Sequence, residues 1–429
     1  MMSINITKIN LYNKLMSTIN NNTYKNFKDL YAIMDNIINI NFRQKIKKSD
    51  KHEILVTQMN GCGDLILVSG ALRELRNNYP NSNITLICLN VWENMLTNCP
   101  YINKLIPCYS RDDNLNVALA TNIEFCFRNL WDIQYDMAIN FHWGQVSILS
   151  SLLCWLSGAK ERIGFAIDIE KRFFENNILP NKYFAANDNF NDILTKALIN
   201  PPEIIKEVNK KYWLLEQIGC TIKNKDLEVW LDKDNIQIAN NLLNTSNKKI
   251  IIGLGGSYMY KKYPVRKLFN VIQYIDKINK KDNIFIFTGG LDEVNDATYL
   301  ATKCNKYNIK YLNLVNQYNM NIISAIISKS NIYIGNDTGT AHIAAAFKIP
   351  TITYIAESKD KENIKGKEVV SSYLRFAPYN NKSIVLRPEQ ALDECKDAII
   401  HGGCLRLDSQ HCISAIDERK IILAYLQLI

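Results

Sequence analysis

The chain has 429 residues, 47% of them hydrophobic and 22% charged, and it carries a formal net charge of +9. This length and composition predict a globular protein of two domains, because a single hydrophobic core stops growing at roughly 250–300 residues. No apolar run in the sequence reaches the ~18 residues that a membrane-spanning helix needs. The positive charge suits a phosphate-bearing partner or an anionic membrane surface, and it equally suits a basic protein with neither.

Eleven cysteines are scattered along the chain without any C-x-x-C pair. This argues against a zinc ribbon and for a reducing compartment, since disulfide frameworks belong mainly to small secreted domains. The N-terminus lacks an apolar core long enough for a signal peptide. We therefore expect a cytoplasmic protein.

Two stretches of the chain alternate strand and helix patterns. Residues 1–50 are rich in Asn and Lys with apolar residues at loosely helical spacing, which predicts a helical N-terminal extension. The apolar runs EILVTQ, NITLICLN and YDMAINF then alternate with helical segments, and the alternation restarts near residue 249 with KKIIIGLGG, NIFIFTGG and NIYIGNDTG. Such alternation predicts parallel sheets covered on both faces.

We therefore predict an α/β protein of the GT-B type, with two Rossmann-like domains facing across a cleft after the helical extension. Ligands are expected at the carboxyl ends of the strands. The predicted boundaries are 1–50 for the extension, 51–235 for the N-terminal domain, 236–400 for the C-terminal domain, and 401–429 for a Cys-containing segment and helix.

The first glycine loop, NGCGDLI, follows the first strand. Gly61 and Gly63 let the backbone turn sharply and approach a ligand closely. Asp64 would lie in the first helical turn, where the helix dipole keeps a carboxylate ionised and able to accept a proton from a substrate hydroxyl. Asp64 can also simply cap the helix. A nicotinamide-binding fingerprint fails, because Ile66 stands where the third glycine belongs.

The loop GLGGSYMYKKYP opens the second half. Backbone N–H groups at Gly255 and its neighbour, with the hydroxyl of Ser257, can bind an anion. Either Lys261 or Lys262 can neutralise a phosphate. A solvated basic turn explains the same residues.

Two further strand ends carry polar groups. In TGGLDE, Glu293 is placed to hold ribose hydroxyls, whereas Asp292 is a candidate helix cap. In GNDTGTAH, a helix start offers free N–H groups to an anion, and an ordinary capped turn is the alternative. The residues concerned there are Asp337, Thr338, Gly339, Thr340 and His342.

Two more groups of residues are candidates. His142 falls at the end of a strand in the first half, where it can contact a ligand or only pack. Near the C-terminus, Cys404, His411 and Cys412 follow Cys395 and His401. Their spacing matches no common zinc pattern, so we expect a reduced structural cluster and no metal.

Taken in order, these motifs resemble glycosyltransferase family 9, the heptosyltransferases of lipopolysaccharide core assembly. The resembling stretches run from GDLILVSGALRELRNNYP through ERIGF, GLGGSYMYKKYP, TGGLDE and GNDTGTAHIAAAFKIPT to CLRLDSQHCISAI, covering about residues 53 to 425. The resemblance implies a GT-B fold and an inverting transfer, without metal or cofactor, from a nucleotide sugar such as ADP-heptose. The glycine-loop motifs contain no D-x-D pair.

The resemblance also implies roles for some of the residues. Asp64 matches the catalytic base, and the residues that match donor-binding positions in the C-terminal domain are Lys261, Glu293, Asp337, Thr338, Gly339 and His342. From the loops themselves we add Gly255, Ser257 and Thr340 to the donor site, and Gly63 and His142 to the acceptor site.

Several departures and alternatives remain. Tyr263 replaces the usual tryptophan of the family motif, and IAESKDKEN lacks the FG pair that is common there, so the nucleobase and the sugar of the donor stay open.

The expected partners are a nucleotide sugar and a lipopolysaccharide core, with peripheral contact at the cytoplasmic face of the inner membrane and no nucleic acid. One alternative acceptor is a surface protein, although the relevant subgroup carries a C-x-x-C that this chain lacks. An inactive sugar-nucleotide-binding or scaffold protein is the alternative of another class.

Overall fold

The structure, a computed structural model, describes residues 2–21, 27–40, 48–109, 115–143, 147–166, 190–199, 204, 206–361, 372–395 and 408–429. It contains two six-stranded sheets in which every strand pair is parallel. The predicted α/β architecture of two Rossmann-like halves is therefore confirmed.

The first sheet has the order β3-β2-β1-β4-β5-β6. All six residues of β1 are buried, as expected for a strand covered on both faces. The strands are β1 (Glu53–Gln58), β2 (Asn83–Leu89), β3 (Lys104–Cys108), β4 (Met137–Asn140), β5 (Glu161–Phe165) and β6 (Lys196–Leu198).

The second sheet has the order β12-β11-β10-β7-β8-β9. When β7 is numbered as strand 1 and the sheet is read from β9 to β12, the order is 3-2-1-4-5-6, the same as in the first sheet. This is the strand order of dinucleotide-binding folds. The strands are β7 (Lys248–Gly253), β8 (Asn283–Thr288), β9 (Tyr311–Asn313), β10 (Ile332–Asn336), β11 (Thr351–Tyr354) and β12 (Ser383–Leu386).

Helices connect the strands. Those of the first half are α1 (Met2–Asn20), α2 (Phe27–Ile38), α3 (Cys62–Asn78), α4 (Glu93–Leu96), α5 (Leu115–Asn129), α6 (Ser147–Leu156) and α7 (Glu207–Gln217). Those that follow are α8 (Lys233–Leu242), α9 (Val265–Ile278), α10 (Val294–Tyr307), α11 (Met320–Ser328), α12 (Gly339–Ala346), α13 (Ser372–Phe376) and α14 (Glu418–Leu428). None of the helices in the described ranges is long and apolar enough to cross a membrane.

The predicted N-terminal extension is helical, and it belongs to the core of the first half. Leu15 on α1 and Met34 on α2 are fully buried in the same apolar cluster as Trp155 on α6. The Trp155 indole N–H donates a 3.0 Å hydrogen bond to Asp35, and Lys8 forms a 2.9 Å ion pair with Asp132. These helices therefore cover apolar surface of the first half.

The chain divides into two compact units whose boundaries cross the helices. The first contains Met1–Gly61, Ala71–Ile204 and Lys210–Lys225. The second contains Cys62–Gly70, Ile205–Asn209 and Asp226–Ile429. The start of α3 thus belongs to the same unit as the second sheet.

A pair of glycines at the centre of the second sheet makes room for a buried tyrosine. Gly335 on β10 lies opposite Gly253 on β7, and the hydroxyl of Tyr333 occupies the space beside both. A Cβ atom on Gly335 would lie 2.6 Å from the Gly253 carbonyl oxygen and 2.8 Å from that hydroxyl. Because both positions lack a side chain, Tyr333 reaches the Thr340 hydroxyl at 2.8 Å.

We expect Gly335→Ala to destabilise the protein by about 1–3 kcal/mol, because the added methyl overlaps rigid backbone. Urea unfolding of the full chain measures this. Gly61→Ala is the matched control, since a Cβ atom there meets nothing within 4 Å. Equal stability of the two variants would contradict this account of the sheet.

Candidate active site

The loops that carry the predicted motifs leave the same edge of the second sheet. The GLGGSYMYKKYP loop follows β7, TGGLDE ends β8, and GNDTGTAH spans the end of β10 and the start of α12. β7 and β10 are adjacent at the point where the strand order reverses. In open α/β sheets ligands bind in the crevice at this point, beyond the carboxyl ends of the strands.

The side chain of Asn336 joins two of these loops. Its amide nitrogen donates to the carbonyl oxygens of Leu254 at 2.9 Å and Gly255 at 3.0 Å, and its amide oxygen accepts the Tyr263 N–H at 2.9 Å. Asn336 is buried, so these bonds are protected from water. Both ends of the loop after β7 are thereby fixed to the end of β10.

The two candidate phosphate-binding lysines are in different environments. Lys261 is partly exposed, and its Nζ lies 3.9 Å from the Asp337 carboxylate. Lys262 is buried, and its Nζ lies 2.5 Å from Oε1 of Glu293. Only Lys261 is therefore placed to meet an incoming anion, whereas Lys262 is committed to a buried ion pair.

Glu293 is engaged on both carboxylate oxygens. Oε1 pairs with Lys262, and Oε2 accepts the Gly290 N–H at 2.7 Å. Glu293 lies in the short turn Leu291–Glu293, so this side chain ties the loop after β8 to the loop after β7. Gly255 lies directly beside it, and the exposed Ser257 lies two residues further along that loop.

The first turn of α12 offers an anion site. The side chain of the N-cap residue Thr338 makes no capping hydrogen bond, and this residue is extended, with φ −147° and ψ 173°. The Thr338 hydroxyl instead lies 2.9 Å from that of Thr340. The first N–H groups of a helix lack intrahelical partners and carry its positive dipole end. The Thr338 side chain therefore does not cap α12, so the alternative of a turn capped by its N-cap residue does not apply here.

The start of α3 lies against the start of α12. A Cβ atom on Gly339 would lie 2.7 Å from the Cys62 sulfur, and one on Gly63 would lie 2.9 Å from the His342 ring. Burial, and secondarily the charge of Asp64, raises the pKa of Cys62 to about 12, so the thiol stays protonated. The Asp64 carboxylate in the first turn of α3 thus lies in the same compact unit as the α12 anion site.

His342 provides a buried neutral imidazole beside these groups. Burial lowers its pKa, while the nearby Asp337 carboxylate opposes this shift and Lys261 adds to it. Its Nδ1 has no hydrogen-bond partner within the part of the chain that the structure describes. The ring therefore has one buried polar atom whose hydrogen bond is unmade among the described residues.

His142 lies in the first unit, just beyond the carboxyl end of β4. Its backbone N–H donates to the Asn140 amide oxygen at 3.0 Å, and the Asn140 amide donates to Ser151 at 2.9 Å. These bonds fix the turn that carries His142. β4 lies beside β1 at the strand-order reversal of the first sheet, which is also a ligand-binding position.

Asn336 organises the site although the sequence analysis gave it no role, and Lys262, a candidate phosphate ligand in the sequence, instead pairs with Glu293. Asn336 was visible in the sequence as a polar residue at the end of an apolar strand. Its partners lie 73 to 82 residues away in the chain, so local patterns do not show them.

Two Rossmann-like sheets with this strand order define a protein of the GT-B fold class. A family model, "Glycosyltransferase family 9 (heptosyltransferase)", matches residues 125–396. The chain therefore belongs to this family and is a glycosyltransferase, as the motif resemblance indicated.

Individual relatives agree with this assignment. The lipopolysaccharide core heptosyltransferase OpsX of Haemophilus influenzae is 22% identical over 328 residues, which cover 76% of this chain and 82% of the relative. A family 9 glycosyltransferase from Veillonella parvula has a TM-score of 0.65 at 18% identity, covering 89% of this chain and 98% of that one. E. coli heptosyltransferase WaaC with ADP-2-deoxy-2-fluoro heptose has a TM-score of 0.57 at 13% identity, covering 87% and 99%.

We expect Asn336→Ala to destabilise the protein and to weaken nucleotide binding, because it leaves buried carbonyl and N–H groups unpaired at about 1–3 kcal/mol each. Urea unfolding and calorimetric titration with ADP measure the two effects. Asn331→Ala is the matched control, since Asn331 accepts the Lys249 N–H at the opposite end of β10. An Asn336→Ala protein that binds ADP as tightly as the Asn331→Ala control would refute this role.

Proposed function

We propose that the chain is an inverting heptosyltransferase that moves a heptose, or a related sugar, from an ADP-sugar to a lipopolysaccharide core acceptor. The observation that carries this proposal is the approach of two helix starts, with Asp64 in the first turn of α3 beside the anion-binding turn of α12. The names of its relatives support the sugar and the acceptor.

In this mechanism Asp64 accepts the proton of the acceptor hydroxyl. The acceptor oxygen forms a bond to the anomeric carbon of the sugar as the bond from that carbon to the diphosphate oxygen breaks. ADP leaves with both electrons of the broken bond, and the configuration at the anomeric carbon inverts. General-base assistance of this kind contributes about 10²–10⁴-fold in rate.

The charge that develops on the leaving diphosphate needs stabilisation. We assign this to the Lys261 ammonium and the first N–H groups of α12 at Gly339 and Thr340. Fixed cationic and N–H groups cost no reorganisation during the reaction, which is why they stabilise a transition state well. With these groups in place the transfer does not depend on a divalent metal ion.

The remaining residues have supporting roles in this proposal. Asp337 and the Thr338 hydroxyl border the donor diphosphate and sugar, and the neutral His342 ring lies beside them. Gly255 and Ser257 belong to the loop that binds the donor. Glu293 is assigned to the donor nucleoside, and its bond to the Gly290 N–H holds the turn that carries it. Gly63 and His142 stay predictions for acceptor binding, each within its own unit.

The acceptor carries anionic groups at a membrane surface, and the net charge of +9 supports peripheral contact with the cytoplasmic face of the inner membrane. A surface-protein acceptor would use the same donor chemistry. No contact among the described residues favours it over the lipopolysaccharide core.

Asp64→Asn is expected to lower the turnover number by at least about 100-fold while leaving the donor dissociation constant within a few-fold of wild type, because the amide keeps the shape but cannot accept the proton. Transfer assays with titration calorimetry measure both. Asp234→Asn, which changes an exposed acid in the first turn of α8, is the control. Near-normal turnover in Asp64→Asn would refute the assigned base.

The donor assignment predicts that ADP-heptose raises the unfolding temperature more than UDP- or GDP-sugars at equal concentration. A ligand that binds the native state stabilises it in proportion to RT ln(1 + [L]/Kd), so the tightest donor gives the largest shift. Thermal unfolding with each nucleotide sugar measures this. A larger shift with a uridine or guanosine donor would overturn the ADP-heptose assignment.

A further inference from the structure

The loop after β7 exposes large apolar side chains at the edge of the sheet where ligands are expected. Tyr258 is 52% exposed and its neighbour Met259 is 41% exposed. A single exposed apolar side chain needs no explanation, whereas neighbouring ones beside a ligand-binding edge are typical of a contact surface. These residues had no role in the sequence analysis.

The rings of Tyr258 and Tyr260 form one surface. Their centroids lie 5.8 Å apart, and their planes differ by 20°, so the rings are stacked. The Lys261 ammonium lies 6.0 Å from the Tyr260 ring centroid. The faces of aromatic rings carry partial negative charge, which attracts such a cation. The loop thus combines a flat aromatic surface with the cation that is assigned to the donor diphosphate.

The backbone that carries these rings is fixed by hydrogen bonds. The Lys261 N–H donates to the Tyr258 carbonyl oxygen at 3.0 Å, and the Lys262 N–H donates to the Met259 carbonyl oxygen at 3.0 Å. The buried ion pair between Lys262 and Glu293 then holds the end of this turn to the loop after β8. A surface that is ordered before its ligand arrives loses little conformational entropy on binding.

The two tyrosines lie between groups that the proposed mechanism assigns to the donor. Ser257 directly precedes Tyr258, and Lys261 directly follows Tyr260. The donor sugar is bonded to the diphosphate, so its ring lies next to the groups that bind the phosphates. The nucleoside is at the other end of the diphosphate, and it is assigned to Glu293 on the loop after β8. The sugar is therefore the part of the donor that these tyrosines are placed to meet.

A sugar in its ring form matches this surface chemically. The C–H bonds on one face of such a ring carry slight positive charge, and they pack against the electron-rich faces of aromatic rings. The hydroxyl groups around the ring stay free for hydrogen bonds, to which a tyrosine hydroxyl can contribute as donor or acceptor. Tyrosine also loses little rotamer entropy on binding, since it has only two side-chain torsions.

We propose that Tyr258 and Tyr260 form a stacking platform for the ring of the sugar that the donor carries. The proposal rests on the donor site of the proposed function, and it names the residues that recognise the sugar instead of the nucleotide. The platform then contributes to the affinity for the nucleotide sugar and leaves the affinity for the nucleoside diphosphate unchanged.

The test compares the dissociation constants of ADP-heptose and ADP, measured by titration calorimetry on the full chain without acceptor. Tyr258→Ala combined with Tyr260→Ala should weaken ADP-heptose binding by at least about 5-fold and change ADP binding by less than about 2-fold. Tyr258→Phe combined with Tyr260→Phe should stay within about 2-fold of wild type for both ligands, because the rings remain. Tyr274→Ala, which removes a 50% exposed tyrosine from α9 in the same unit, should change neither constant.

Three results would overturn the platform. The first is an unchanged ADP-heptose constant in the double alanine variant. The second is an equal loss of affinity for ADP, which would assign the rings to the nucleotide. The third is a higher Michaelis constant for the acceptor at an unchanged donor constant, which would assign them to the acceptor.

Two further measurements keep the test decisive. If the double alanine variant does not fold, Tyr258→Ala alone changes the more exposed ring and should weaken ADP-heptose binding by at least about 2-fold. If a uridine or guanosine sugar gives the larger thermal shift, the ADP-heptose assignment fails, and the same comparison is made between that nucleotide sugar and its diphosphate. Selective loss of the sugar-dependent affinity there would still support the platform, and its absence would refute it.

Discussion

The arrangement of the active-site loops depends on one buried carboxamide. Asn336 donates two hydrogen bonds and accepts one, and all three go to backbone groups at the two ends of the loop after β7. An aspartate could not donate both bonds, and an apolar residue could satisfy none of them, so the chemistry of the position requires an amide. The loop that contains Lys261 is therefore held in place by β10, the strand that leads into α12.

Of the two adjacent lysines in the loop after β7, one stays available to a ligand. The buried Lys262–Glu293 pair neutralises itself and joins two loops, and the neutral His342 adds no charge. Removing one partner of such a buried pair costs about 3–5 kcal/mol, because the other charge is left uncompensated. Lys261, held loosely at 3.9 Å from Asp337, is the cation that an incoming phosphate can engage.

Local sequence patterns predicted the architecture but not the contacts that organise the site. Alternating strand and helix patterns were enough to predict two Rossmann-like halves. Glycine loops at the strand ends were enough to predict that the motifs lie at one edge of a sheet. Local patterns could not distinguish the roles of the adjacent residues Lys261 and Lys262. Their difference comes from an ion pair between Lys262 and Glu293, which lies 31 positions further along the chain. The gathering of Cys395, His411 and Cys412, whose sulfur and ring-nitrogen atoms lie within 4.8 Å of one another, likewise depends on the fold.

The proposed mechanism requires the donor diphosphate to bind at the first turn of α12. A crystal structure with ADP tests this binding most directly. We expect phosphate oxygens within hydrogen-bonding distance of the N–H groups of Gly339 or Thr340 and of the Lys261 ammonium. A diphosphate bound elsewhere, with these groups making no contact to it, would contradict the proposed mechanism.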